Sequence, residues 1–291
     1  MPKRPVIQHL TSPQAAQQWC GAIREKNQTI GFVATMGALH PGHISLINRA
    51  HEENDVVIVS IFVNPLQFNR AEDLEKYPRD EASDIEQLVT VDVNAVFTGS
   101  PEAFLGESRD KNTEELADPG IYAQGLEGAH RPGHFAGVRE VVSKLFHFVG
   151  PCRSYFGEKD YQQLQIIKQM AENTPGIRVI PCPTLRERSG LARSSRNARL
   201  SDQGRQQASI IFKAMQSANA LWRQGVRSPQ LLQHAMLEIM GTSDIELEYA
   251  ELRDPINWTR RQPEYDLQQA RVFVAGNIEG VRLIDNMALK S

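Results

Sequence analysis

The sequence predicts an α/β protein, with a Rossmann-like doubly wound parallel sheet followed by a smaller C-terminal α+β domain. Three observations carry that expectation. The run 56–63 (VVIVSIFV) is apolar on both faces, as a strand covered on both sides of a parallel sheet requires. Strand-like and helix-like segments alternate up to about residue 184. Beyond that point two helical stretches precede three strand-like ones, the order of a separate α+β layer.

The elements follow in order. Residues 30–35 (IGFVAT) read as a buried strand. Gly37 and Gly42 bracket a tight connection, and Pro41 suits a helix start, where its missing N–H and fixed φ do no harm. Ile44, Ile47 and Ala50 then give one helical face. With 56–63 these segments form a βαβ unit. A helix over 80–88, a strand over 93–97, a helix over 138–149, a short strand over 154–156 and a helix over 161–172 continue the rhythm. A strand over 177–180 ends at the Pro-Cys-Pro of 181–183. Helices are expected over 202–224 and 228–240, and strands over 245–252, 271–275 and 281–284. The stretch 107–125 is polar and weakly periodic, so it reads as a loop or lid. The domain boundary falls between 184 and 185.

Composition excludes several classes of function. A chain of 291 residues buries a large core without staples. A net charge of −3 without a polybasic run argues against nucleic-acid and membrane-surface partners, so any polyanion must be met by locally gathered charge. Three cysteines without a CxxC argue against a disulfide framework or a structural zinc site. The start, MPKRPVIQHLTSPQ, lacks the apolar core of a secretory signal, and a cytoplasmic location is expected. GxxxxGK[ST], GxGxxG and HExxH do not occur.

Three clusters carry chemistry. Thr35 to His43 (TMGALHPGH) joins a strand to a helix at the carboxyl end of the strand, the edge where open α/β sheets bind ligands. His43 falls in the first helical turn, where free N–H groups and the helix dipole favour an anion. His40 and His43 are candidate donors to phosphate oxygens, against a turn of solvated histidines; a metal pair would lack a third nearby ligand. Phe156 to Gln163 (FGEKDYQQ) again joins strand to helix. There Lys159 suits phosphate, Asp160 ribose hydroxyls or a helix cap, and Gln163 a polar substrate. Arg186 to Asn197 (RERSGLARSSRN) holds four arginines and three serines, the composition of a loop that closes on phosphate, or of a solvated basic loop or interface. Asn64, Gln67, Glu127 and Arg131 are weaker signals.

The order and spacing of TMGALHPGH, FVNPLQF, YPRD, LEGAHRPGHFAGV, FGEKDYQQL, ARSSRN and RLIDNM resemble the pantothenate synthetase (pantoate–β-alanine ligase) family of HIGH-signature nucleotidyl transferases. The resemblance spans about 31–287. It implies ATP-dependent condensation of pantoate with β-alanine through a pantoyl adenylate, with Mg²⁺ on the phosphates, and a homodimer. Met36, Gly37, Ala38, Leu39, His40, Pro41, Gly42 and His43 would line the ATP site, with His43 the proton donor. Gly157, Glu158, Lys159 and Asp160 would bind ATP, Leu185 adenine, and Arg193, Ser194, Ser195 and Arg196 the phosphates. His43, His40, Lys159 and Arg196 would be catalytic. Gln67 and Gln163 would hold pantoate, supported by Asn64, Tyr77, Glu127 and Arg131. Residues 1–184 would bind nucleotide and pantoate, and 185–291 would close over the site.

The chain departs from the family pattern at several places. Ala34 stands where Pro is usual, Pro41 where Glu is frequent, and Arg193 where an apolar residue precedes Ser-Ser-Arg. Arg188-Ser189 replaces a stretch that commonly ends in Asp before Gly190, and no Met-Tyr-Pro follows Phe97. Arg193 would add a cation near the triphosphate and tighten ATP binding. The alternatives are a related nucleotidyl transferase acting on another small acid or phosphate, and a non-catalytic nucleotide-binding protein.

Overall fold

The structure, a computed structural model, describes residues 7–69, 71–105 and 116–290. Six strands, β1 Gln8–Leu10, β2 Ile30–Thr35, β3 Val56–Ile61, β4 Ala95–Thr98, β5 Cys152–Gly157 and β6 Ile177–Cys182, form one sheet in the order β1-β4-β3-β2-β5-β6. Every pairing in it is parallel. From β2 the chain winds outward through β3 to β4, then crosses to β5 and β6 on the other side. The direction of winding therefore reverses between β2 and β5, and in open α/β sheets the carboxyl ends of the strands at such a reversal are where ligands bind. A second sheet, β7 Glu246–Arg253, β8 Arg271–Ile278 and β9 Val281–Ala288, is antiparallel in sequence order.

The chain divides into two compact units. One holds the described residues up to Gly120 with Arg131–Glu158 and Gln162–Pro183; the other holds Ile121–His130, Lys159–Tyr161 and the described residues from Thr184. In the first unit, alternate side chains of each strand supply opposite faces of the sheet. Phe32, Ile58 and Phe97 pack with Ala16, Cys20, Val138 and Leu145 on one face. Val33, Val57, Val59 and Val96 pack with Leu46, Ile47 and Leu88 on the other. This double coverage explains why 56–61 is apolar throughout. In the second unit, Met215, Ala218 and Trp222 of helix Ile210–Arg223 and Leu232 and Met236 of helix Pro229–Met240 share a core with Leu252, Val272, Val274 and Leu283. Among the described residues no helix is long and apolar enough to cross a membrane.

Several elements differ from the sequence expectation. Strand β1 and helix Pro13–Glu25 are additional. The strand is three residues long with one side chain buried, too little to show a period. The helix has Ser12 as its cap, Pro13 in the first turn and Ala16, Cys20 and Ile23 on its buried face, and two of those three are small. Strand β6 runs through Pro181, which pairs with Phe156, to Cys182. It is an edge strand, so the missing N–H costs no ladder bond. The single helix expected over 202–224 is two, Asp202–Ala208 and Ile210–Arg223, interrupted at Ser209, whose hydroxyl donates back to the Gln206 carbonyl at 2.7 Å. Of the loop or lid expected over 107–125, residues up to 115 lie outside the described residues; the remainder contains one 3-10 turn, Ile121–Ala123.

Candidate active site

Strand β2 ends at Thr35, whose hydroxyl donates to the Ser60 carbonyl of β3 (2.8 Å) and accepts the Gly37 N–H (3.2 Å). The chain then turns through two residues in the left-handed region, Gly37 (φ 75°) and Ala38 (φ 49°). A Cβ on Gly37 would lie 2.7 Å from Asp84 Oδ2, so this position requires glycine on two counts. The buried Asp84 carboxylate accepts the N–H groups of Ala38 (2.8 Å) and Leu39 (2.7 Å). Burial pushes its pKa up, against the pull of those two bonds.

His40 is the N-cap of helix Pro41–Glu53, and its Nδ1 accepts the Gly42 N–H at 3.0 Å. A ring nitrogen that accepts carries no proton, so the proton of neutral His40 sits on Nε2, which becomes a donor. The His43 N–H bonds to the His40 carbonyl at 2.8 Å, and the two imidazoles stack with centroids 4.0 Å apart. These bonds correct one expectation. Pro41 has no N–H, and those of Ala38, Leu39, Gly42 and His43 are already engaged. Those four N–H groups are therefore not free to meet an anion, and of the two backbone contributions expected at this helix start the dipole is the one that remains.

Beyond β3, Asn64 caps the 3-10 turn Pro65–Gln67, its Oδ1 accepting the Leu66 N–H at 3.0 Å. Its amide nitrogen donates to the Gly137 carbonyl and to Gln67 Oε1, both at 3.1 Å. With its oxygen held, Gln67 presents its NH₂ group, which lies 2.6 Å from Met36 Sδ. The Gln67 carbonyl receives His134 Nδ1 (2.8 Å) and Arg131 Nη2 (3.2 Å). Tyr77 packs edge-on to Phe68, the residue after Gln67, with ring centroids 5.6 Å apart. Strand β5 ends at Gly157, beside β2, and Gln163 is half-buried in helix Tyr161–Glu172. The carboxyl ends of β2, β3 and β5 thus carry the histidine turn, the Asn64–Gln67 turn and Gly157 along one edge of one sheet.

The second unit holds the other candidates. Lys159 and Asp160 belong to the 3-10 turn Glu158–Asp160, with Lys159 Nζ 3.5 Å from Asp160 Oδ1. The Lys159 carbonyl accepts from Asn286 Nδ2 of β9 at 2.7 Å. Next to Asn286, Asp285 forms a two-pronged pair with Arg186 (2.5 and 3.0 Å), and Arg186 also donates to the Gly190 carbonyl (3.1 Å). Burial pushes the Asp285 carboxyl up, although Arg186 pulls it down. Asp285 and Asn286 therefore fasten both the Lys159 turn and the base of the arginine-rich loop. That loop closes through Arg193 N–H to the Leu185 carbonyl (2.9 Å), and the Leu185 side chain is exposed. Arg193 is 3.3 Å from Glu187, so its charge is partly matched inside the loop. Ser194 caps the 3-10 turn Ser195–Arg199 and accepts the Arg196 N–H at 3.3 Å.

Glu127 and Arg131 come from one motif but belong to different units. Glu127 is buried in a two-pronged pair with Arg282 (2.6 and 2.8 Å) and accepts the Tyr249 hydroxyl at 2.7 Å. Arg282 also binds Glu248 at 2.7 Å. Sequence reasoning missed Asp84, Arg282 and the Asp285–Asn286 anchor. A signal existed for two of them. Asp84 is one helical turn before the buried Leu88, and Asp285 shares a strand face with Val281 and Leu283. A carboxylate on a core-facing stripe demands partners. Among the described residues no three His, Cys, Asp or Glu side chains group to hold a metal ion.

Comparisons with known proteins point one way. A family model described as Pantoate-beta-alanine ligase matches residues 8–288. Pantothenate synthetase of Cytophaga hutchinsonii is 43% identical over 283 residues, covering 96% of this chain and 98% of that protein. The crystal structure of pantothenate synthetase from Thermus thermophilus superposes with a TM-score of 0.86 at 35% identity, over 98% of this chain and 100% of that one. The pantoate-beta-alanine ligase of Francisella tularensis, solved complexed with beta-gamma ATP and beta-alanine, gives 0.80 at 35% identity, over 98% and 99%. Matched from the first strand to the last in both sequence and fold, the chain belongs to the pantoate–β-alanine ligase family.

Proposed function

We infer that this protein is the enzyme that joins pantoate to β-alanine at the expense of ATP. The observation that carries this is the full-length family match together with the histidine turn, the Asn64–Gln67 turn and Gly157 on one carboxyl edge around the β2–β5 reversal. In the first step a pantoate carboxylate oxygen attacks the α-phosphorus of ATP and pyrophosphate leaves. In the second, the β-alanine amine attacks the acyl carbon, loses a proton and expels AMP. A carboxylate is a poor nucleophile and ATP a polyanion, so positioning and charge neutralisation supply most of the acceleration.

The roles are those the family resemblance implies, and each suits its side chain's chemistry. His40, through Nε2–H, and His43 donate to phosphate oxygens, His43 giving its proton as pyrophosphate departs. Lys159 and Arg196 neutralise phosphate charge, with Ser194 and Ser195 as hydroxyl donors beside them. Gly157, Glu158 and Asp160 border the nucleotide, Asp160 accepting from ribose, and Leu185 packs against adenine. Gln67, whose oxygen Asn64 holds and whose NH₂ lies against Met36 Sδ, and Gln163 hold the oxygens of pantoate; Tyr77 and Arg131 support that pocket. Glu127 joins that support on the family resemblance. Mg²⁺ suits this donor set as a companion of the triphosphate, since it keeps several waters and prefers phosphate oxygens to an all-protein cage. We also propose a homodimer working in the cytoplasm, on the family resemblance.

The test incubates the protein with ATP, Mg²⁺, pantoate and β-alanine and follows AMP and pyrophosphate. AMP requiring both acids, with pyrophosphate exchange on pantoate alone, supports the reading; ADP or no turnover rejects it. Gly137 supplies a narrower test. A Cβ there would lie 2.4 Å from the Leu66 carbonyl oxygen, so Gly137→Ala should push the turn that carries Gln67. A displacement near 1 Å predicts a loss of about 10²-fold in kcat/KM for pantoate. An unchanged kcat/KM would remove that turn from the pantoate site.

A further inference from the structure

Apart from Tyr77, the YPRD motif takes no part in the proposed reaction, yet the helix it opens reaches the histidine turn. Asp80 caps helix Glu81–Thr90 by accepting the Ser83 N–H at 3.0 Å, and the next turn of that helix carries Asp84 to the backbone of Ala38 and Leu39. We propose that Asp84 is a positioning residue that sets the aim of His40 and His43; this rests on their assignment to the ATP site.

Reversing the chain after β2 needs one left-handed residue, and Gly37 supplies it without strain. Ala38 is left-handed as well, which a residue with a Cβ adopts reluctantly. Two successive N–H groups in this geometry converge on the concave side of the turn and form an anion-binding nest. Here the anion is the chain's own: one Asp84 oxygen takes each N–H, at 2.8 and 2.7 Å. Burial works against its charge, the two N–H groups work for it, and the charged neighbour that adds to the cost is Asp80, another acid. A buried charge held by two backbone N–H groups is costly as packing, but it fixes Ala38 and Leu39, and His40 follows directly. The same carboxylate fills the nest, leaving the imidazoles to face a ligand's phosphate.

The test compares Asp84→Asn with Ile23→Ala, a core truncation in helix Pro13–Glu25 on the opposite face of the sheet. Each full-length variant is measured for folded fraction, for pantoate-dependent pyrophosphate exchange, and for the imidazole nitrogen signals of His40 and His43, assigned from single histidine variants. Folded Asp84→Asn should lose about 10²-fold in exchange kcat with smaller change in pantoate KM, and the His40 and His43 signals should move. Ile23→Ala should lose exchange only with its folded fraction and keep the wild-type signals. If Asp84→Asn does not fold, Asp84→Glu replaces it, since it keeps the charge and shifts the oxygens by one methylene. Wild-type exchange and unmoved signals in a folded Asp84 variant overturn the proposal. Wild-type protein without exchange would instead overturn the proposed reaction, and the nitrogen signals would still decide the role of Asp84.

Discussion

Replacing His43 with alanine is expected to lower the kcat of pantoate-dependent pyrophosphate exchange by about 10²–10³-fold, the loss that accompanies removal of one preorganised donor from developing phosphate charge. The pantoate KM should change little, because the lost interaction belongs to the transition state and not to the ground state. The fold should survive. His43 is half-buried in the first turn of helix Pro41–Glu53, and the features that start that helix, the His40 cap and Pro41, remain. His40→Ala makes a useful contrast, because it removes a donor and also the cap, which costs about 1 kcal/mol of stability. Its Nδ1 bond to the Gly42 N–H predicts loss of both activity and melting temperature, where His43→Ala loses activity alone. A folded His43→Ala with near wild-type kcat would take His43 out of the mechanism.

The second large effect is on stability. Arg282→Met is expected to destabilise the second unit by about 3–5 kcal/mol, the usual consequence of stripping one partner from a buried ion pair. The guanidinium now separates two carboxylates, binding Glu127 at 2.6 Å and Glu248 at 2.7 Å. Glu127 has 8% of its side chain exposed, so water cannot replace the lost donors. Arg282→Lys keeps the charge without the planar fork and should fall between. Urea unfolding followed by tryptophan fluorescence suits the measurement, since Trp222 and Trp258 lie in the second unit and Trp19 in the first.

The pH dependence gives an independent sign. Burial works against ionising Glu248, but Arg282 and Asn277 outweigh it and its pKa lies below the ordinary value. A lowered carboxylate contributes stability that is present above its unfolded pKa, about 4.3, and is lost as pH falls through the folded one. In Arg282→Met the glutamates repel, their pKa values rise, and the sign inverts. The deficit of the variant should therefore shrink on acidification from pH 7 toward about 5. A deficit within about 0.5 kcal/mol of wild type at pH 7 would make this network incidental to the fold.

Much of this architecture was legible beforehand because burial on both faces of a parallel sheet writes itself along the chain. Val56–Ile61 is apolar at every position but Ser60, since Ile58 faces one layer and Val57 and Val59 the other. The edge elements were not legible. Gln8–Leu10 buries one side chain, and Pro181 gives the signal of an ending while continuing a strand whose outer edge pairs with nothing in the sheet. The candidate site divides in the same way. His40, His43, Gln67 and Lys159 are visible as polar side chains soon after strand ends, and Arg196 as one of a run of arginines beyond the last strand of the first sheet.

By itself the sequence determined the α/β class, the winding that brings three loops to one edge, and the family. Only the tertiary structure decided which groups in those loops are still available. Asp84 takes the N–H groups of Ala38 and Leu39, Asn64 takes the Gln67 oxygen, Arg282 holds Glu127, and Asn286 holds the Lys159 carbonyl from 127 residues away. The reason is that a hydrogen bond or ion pair saturates its partners. Hydrophobic periodicity is a local property of the chain, whereas saturation depends on neighbours that meet only after folding.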